Sequence, residues 1–178
     1  MSEGIELPEH DHHDKHPLTI PVSVTMSILA VLGAMVTLLG HRAHTEELLL
    51  QAKATDQWAY YQAKNIRLHE MEAVADMIGT LAPQDKEKAT QVREKYVKEV
   101  ERYNKDKENI GEQAKEVETE RDLVSRRADR FDGGEALLEV GLVICSVTLL
   151  TKRRYFWFTG IFFGAIGVVT ALTGFLLH

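Results

Sequence analysis

Cysteine is almost absent: Cys145 is the only one in 178 residues, so no intrachain disulfide and no cysteine-based metal site can form. Glycine-rich phosphate loops, an HExxH helix and the local contexts of Ser/His/Asp nucleophiles are also missing, so enzyme function has little support and no cofactor is expected. The excess of charge of one sign is modest, a formal net charge of -6. Within residues 41–130, 17 Lys/Arg stand against 19 Asp/Glu, interspersed along the stretch. That pattern describes a solvated helical surface rather than a basic stripe, and nucleic acid is not an expected partner.

The residues that are present are sorted by solvent. The chain is 44% hydrophobic, with most of its aliphatic and aromatic residues pooled before and after the charged block 41–130. Residues 21–40 carry no charged side chain. About twenty residues at 1.5 Å each cross the roughly 30 Å hydrocarbon core, which predicts a first transmembrane helix. It follows an acidic tail and runs on into His41, Arg42 and His44, so it is expected to be retained rather than cleaved as a signal peptide. Ala30, Gly33, Ala34 and Thr37 put small residues on it at helical spacing. Such a surface admits another helix closely, or is simply the ordinary composition of a membrane helix.

The tail before it, 1–20, holds Pro8, Pro17 and five acidic residues and is expected to be disordered. Its histidines His10, His12, His13 and His16, with Asp11 and Asp14, offer a second reading as a Zn, Ni or Cu site, which the metal would itself have to order.

Past Thr45 there is no Gly or Pro before Gly79, and Leu50, Ala54, Trp58, Tyr61, Leu68, Met71, Ala75 and Ile78 recur mostly at steps of three and four. One helical face is apolar. Gly79, Thr80, Ala82 and Pro83 predict a turn near 79–84. A second helix then carries a heptad through Tyr96, Val100, Tyr103, Lys107, Ile110, Ala114, Val117, Arg121, Val124 and Ala128. Lys107 and Arg121 in that seam, with Gly111 between them, make its core thin.

The next apolar run is too short to span unless its helix begins near Phe131. A second membrane helix over 131–150 therefore includes Glu135 and Glu139, four apart on one face. Intramembrane carboxylates are functional candidates by default, and the plainer alternative is a protonated Glu139 or one bonded to Thr37, Thr170 or Thr173. A basic loop, 151–155, leads to a third membrane helix over 156–178, in which Gly160, Gly164 and Gly167 form a close-packing stripe. The short loop Lys152, Arg153, Arg154 favours a cytoplasmic position for itself and for the amino terminus, and so places the charged block outside; Arg121, Arg126, Arg127 and Arg130 argue the reverse.

The densest group of aromatic and polar residues is Asp56, Gln57, Trp58, Ala59, Tyr60, Tyr61, Gln62, Ala63 and Lys64. Three aromatics in four residues exceed what a thin heptad requires, so they either cap a pocket, face a second subunit or enlarge the local core. This DQWxYYQAK-type run, with the acidic His-containing start, the first membrane helix and the closing pair of membrane helices, resembles an uncharacterised family of small bacterial membrane proteins defined by a domain of unknown function. The resemblance implies an envelope protein and supplies no activity, ligand or catalytic residue.

The expected fold is all-α: three transmembrane helices with a long antiparallel coiled-coil hairpin between the first and second. The expected role is a structural or interaction protein of the bacterial inner membrane, bound to lipid, that forms a homo-oligomer or serves as an accessory subunit of a membrane complex. The alternative is an ion or proton channel or transport component using Glu139, or metal binding by the tail.

Overall fold

A computed structural model describes residues 17–80 and 86–177, and these form three α-helices. Helix α1 is Thr19–Thr80, α2 is Lys86–Thr151 and α3 is Arg154–Gly174. Each contains a stretch long and apolar enough to cross a bilayer. The fold is all-α with three such helices, and the chain is a multi-span membrane protein.

The helices are long because little interrupts them. Pro21 lies in the first turn of α1, where its missing N–H has no intrahelical acceptor to lose. Gly40 in α1 and Gly133 and Gly134 in α2, positions at which each helix could bend, lie inside them. Gly79 and Thr80, placed by their turn chemistry between the helices, complete α1, and α2 opens at Lys86 with Glu87 favourably in its first turn. The remainder of that predicted turn lies outside the described residues, as do His10, His12, His13 and His16. The buried Thr148 Oγ1 has no partner among the described residues, but other hydroxyls in the apolar stretches are satisfied by their own helix: Thr25 donates to Pro21 O at 2.8 Å, Thr159 to Tyr155 O at 3.0 Å and Thr170 to Ile166 O at 2.9 Å. Water is not needed for them.

The reversal between α2 and α3 takes only Lys152 and Arg153, fewer residues than the predicted loop 151–155, because Lys152 adopts φ 55°. Its N–H closes α2 on Thr148 O at 2.8 Å. A left-handed non-glycine residue costs about 1 kcal/mol, offset here by the helices it lets pack side by side. Arg154 and Tyr155 thereby become the first turn of α3, which ends at Gly174 rather than running to the end of the chain.

The chain divides into two compact units, one of the described residues up to Gly40 with Asp129–Leu177, the other His41–Ala128. In the first, glycines of α2 and α3 replace side chains at the contact. A Cβ on Gly141 would lie 2.8 Å from Gly160 O and 2.9 Å from Gly164 N; one on Gly134 would lie 2.8 Å from Gly167 O. Backbone meets backbone at these points, the geometry of close helix approach in lipid. Phe131, 2% exposed, closes one end against the ring of Phe175 at 5.4 Å and beside Gly174. Trp157 ties α3 to α1 by donating its Nε1–H to Thr25 Oγ1 at 3.1 Å.

In the second unit Ala54, Leu68 and Ala75 of α1 and Ile110, Ala114, Val117, Val124 and Ala128 of α2 are buried. Cross-helix partners follow in reverse order: Gln51 with Arg121, Trp58 with Glu118, Lys64 with Asp106 and Gly79 with Arg93.

Candidate functional site

Two places gather the residues that the sequence singles out, one in each unit. In His41–Ala128 the aromatic run of α1 lies against α2. Trp58 donates its Nε1–H to Glu118 Oε1 at 2.9 Å and meets Tyr61 edge-on, with ring centroids 5.4 Å apart. Tyr61 has room because the facing residue is Gly111: a Cβ there would stand 3.2 Å from the tyrosine ring. The glycine read from sequence as a weak point of the helix is thus the seat of an aromatic ring.

Lys64 points the same way. Its Nζ is 2.9 Å from Asp106 Oδ2 and lies 5.5 Å from the Tyr60 ring centroid and 5.0 Å from that of Tyr103. The hydrogen bond to Asp106 holds the ammonium above its ordinary range, against partial desolvation. A raised lysine keeps its folded-state contribution below its unfolded pKa and loses it only as pH rises through the folded value, so the pair is unaffected near neutrality. The seam cations are also paired: Lys107 donates to Asn65 Oδ1 at 3.3 Å and Arg121 to Gln51 Oε1 at 2.6 Å. Asp122, bonded to the Arg121 guanidinium, raises that group further. Asp56 and Gln62 are exposed, Gln57 is half-buried, and Tyr60 is 51% exposed. The motif therefore splits into an inner set, Trp58, Tyr61 and Lys64, and an outer set, Asp56, Tyr60 and Gln62. Asp106, Glu118, Tyr103 and Gly111 complete the inner set. Only their heptad phase relative to the motif could have pointed to them.

In the membrane-spanning unit a cleft of about 400 Å³ opens between α1 and α2, lined by Ala30, Gly33, Ala34 and Thr37 on one side and Glu135 and Glu139 on the other. The two carboxylates are not equivalent. Thr37 Oγ1 lies 2.6 Å from Glu135 Oε1 and 3.0 Å from Gly33 O. Glu139, offered Thr37, Thr170 or Thr173 by the sequence reading, bonds none of them. Thr37 is one helical turn away, at Glu135; Thr170 and Thr173 bond the carbonyls of Ile166 and Thr170. Among the described residues Glu139 has no hydrogen-bond or ion-pair partner. It is exposed at the cleft, about 18 Å by helical rise from the end of α2 at Thr151.

The small residues of the first and third spans have different surroundings. Gly160, Gly164 and Gly167 are buried, two against α2 and Gly164 beneath the Leu29 side chain of α1. Around Gly33 a Cβ would meet nothing within 4 Å. No group of three or more His, Cys, Asp or Glu side chains converges as metal ligands among the described residues.

Residues 18–177 match the model of the family described as domain of unknown function DUF4337, and the chain belongs to that family. No curated protein and no solved structure matches it at a significant level.

Proposed function

We propose that this DUF4337 protein is a structural or interaction component of a bacterial inner membrane, without catalytic activity of its own, that self-associates or serves as an accessory subunit of a larger assembly. The observation that carries this reading is a second apolar stripe on α1, on the side of the helix turned away from α2. Leu49, Ala52, Ala59, Ala63, Ile66, Ala73 and Met77 follow at steps of three and four, interrupted only by Asp56 and Glu70, and all are exposed. Leu49, Ile66 and Met77 are 68%, 59% and 60% exposed. In this reading His41–Ala128 is an antiparallel coiled-coil hairpin, supported by the reversed order of its cross-helix contacts. One face of α1 serves the hairpin, and the alanine-rich face admits a helix of a second copy closely. The outer motif residues Asp56 and Tyr60 lie on or beside that face, and a polar seam position such as Asp56 sets register.

Ile66→Asp buries a charge in the proposed interface and is expected to weaken self-association of the detergent-solubilised chain by roughly 10–100-fold, read by light scattering across a dilution series. A wild-type chain that is monomeric at every concentration, with no co-purifying partner, rules the reading out.

The short basic stretch Lys152, Arg153 and Arg154 supports a cytoplasmic position for the α2–α3 connection, a cytoplasmic amino terminus and a periplasmic hairpin. A cysteine at the exposed Thr90 is then expected to react with a membrane-impermeant maleimide in intact cells; labelling by permeant reagents alone would reverse the orientation. An ion or proton path along Glu139 is the second reading, favoured by the exposure of that carboxylate in the cleft.

A further inference from the structure

The cleft beside Gly33 combines three properties that the chain itself leaves unmatched. Its α1 wall is built of Ala30, Gly33 and Ala34, small enough for another helix backbone to come close. None of the described residues occupies that approach, since a Cβ at Gly33 would meet none of their atoms within 4 Å, whereas the glycines of α3 are covered by α2 or by Leu29. Its α2 wall carries Glu135 and Glu139, and Glu139 has no partner among the described residues. No Lys or Arg occurs in residues 19–40, 131–151 or 156–174, so these stretches bring three acids, Asp132, Glu135 and Glu139, and no base. A carboxylate at that depth is costly unless a proton or a cationic group accompanies it.

We propose that the cleft docks a membrane-spanning helix of a different protein, one that carries a lysine or arginine at the depth of Glu139. The small residues admit the backbone, and the basic side chain enters a space of about 400 Å³, ample for one long side chain, to pair with Glu139 while Glu135 stays on Thr37. The spans of a second copy do not supply this group, because none of them carries a Lys or Arg to set against Glu139. The proposal rests on the reading of the chain as an interaction subunit, but uses a surface separate from the Leu49 to Met77 stripe, so Ile66→Asp tests the stripe without touching the cleft.

The experiment reconstitutes the full-length chain in phosphatidylcholine liposomes and measures energy transfer to synthetic leucine/alanine spanning peptides bearing one central Lys, Gln or Leu. The Lys peptide is expected to associate about tenfold more tightly than the Leu peptide, and Glu139→Gln to abolish that preference. Gly33→Leu, which fills the cleft from a position with free space, is expected to reduce binding of the Lys peptide to the level of the Leu peptide. Circular dichroism of both variants confirms retained helix. Equal binding of Lys and Leu peptides to the wild-type chain overturns the proposal, as does a preference that survives Glu139→Gln. Disulfide cross-linking of two Gly33→Cys chains through the cleft would assign it to a second copy. Proton flux that is lost in Glu139→Gln, without peptide preference, would assign it to an ion path; either result overturns docking.

Discussion

Replacing Gly141 by alanine is expected to drive α2 and α3 apart and to expose Cys145. The added methyl would stand 2.8 Å from Gly160 O and 2.9 Å from Gly164 N, both backbone atoms that no rotamer change can move. Relief requires the whole of α3 to shift, and overpacking of this kind costs about 1–3 kcal/mol, or roughly 5–150-fold in an opening equilibrium. Cys145 reports it directly. Its side chain is 0% exposed and lies against Gly160, and it is the only cysteine in the chain, so a small maleimide has one target. In detergent, the labelling rate of Gly141→Ala is expected to rise by about that factor, provided opening and closing are fast relative to labelling. Gly33→Ala is the control: with no atom near its Cβ it is expected to label like the wild type. Equal rates for all three proteins would show that the glycine contacts do not hold the helices together.

The contrast between those two glycines marks where sequence reading stops. Segregation of charge from apolar length made the all-α character and three membrane-spanning stretches legible, because the requirement to satisfy backbone groups in lipid leaves a contiguous apolar helix almost no alternative. The spacing of small residues in the third span indicated close packing but no partner. Which glycines meet a neighbour depends on the rotation of each helix about its own axis, and small shifts of that rotation are nearly invisible in a stretch apolar on every side. The same uncertainty separates Glu135 from Glu139. They are one turn apart on the same face, and only their placement relative to α1 decides that Glu135 takes the Thr37 hydroxyl. In His41–Ala128 the periodicity is sharper, and Ala54, Leu68, Ala75, Ile110 and Ala114 are buried. There the difficulty is chemical. Lys107, Arg121 and Gly111 subtract from a seam judged by hydrophobicity alone, whereas across the interface they meet Asn65, Gln51 and the ring of Tyr61.

Trp58→Ala is expected to be the most damaging single change in His41–Ala128. It removes a half-buried indole, its edge-on contact with Tyr61 and its hydrogen bond to Glu118. A fully buried tryptophan truncated to alanine costs about 3–5 kcal/mol; partial exposure lowers the expectation here to roughly 2–4 kcal/mol. Trp58→Phe keeps most of the ring and loses the donor, and is expected to cost about 1 kcal/mol, while Glu118→Gln preserves an acceptor oxygen and is expected to cost less than about 0.5 kcal/mol. Hydrogen exchange resolved by peptide is the suitable measurement, because it reads this unit separately from the membrane-spanning one. Amides near Ile110, Ala114 and Val117 are expected to exchange faster in the order Glu118→Gln, Trp58→Phe, Trp58→Ala. The ordering separates the two roles open to the motif. An aromatic that anchors α1 on α2 loosens both helices when truncated, whereas one reserved for a partner leaves exchange unchanged and weakens association alone. With Gly111 cleared for Tyr61, and with Lys64 held by Asp106 between two tyrosines, the inner residues are those of an anchor. Asp56, Tyr60 and Gln62 are exposed, and in the proposed reading they are the part of the motif that meets another chain.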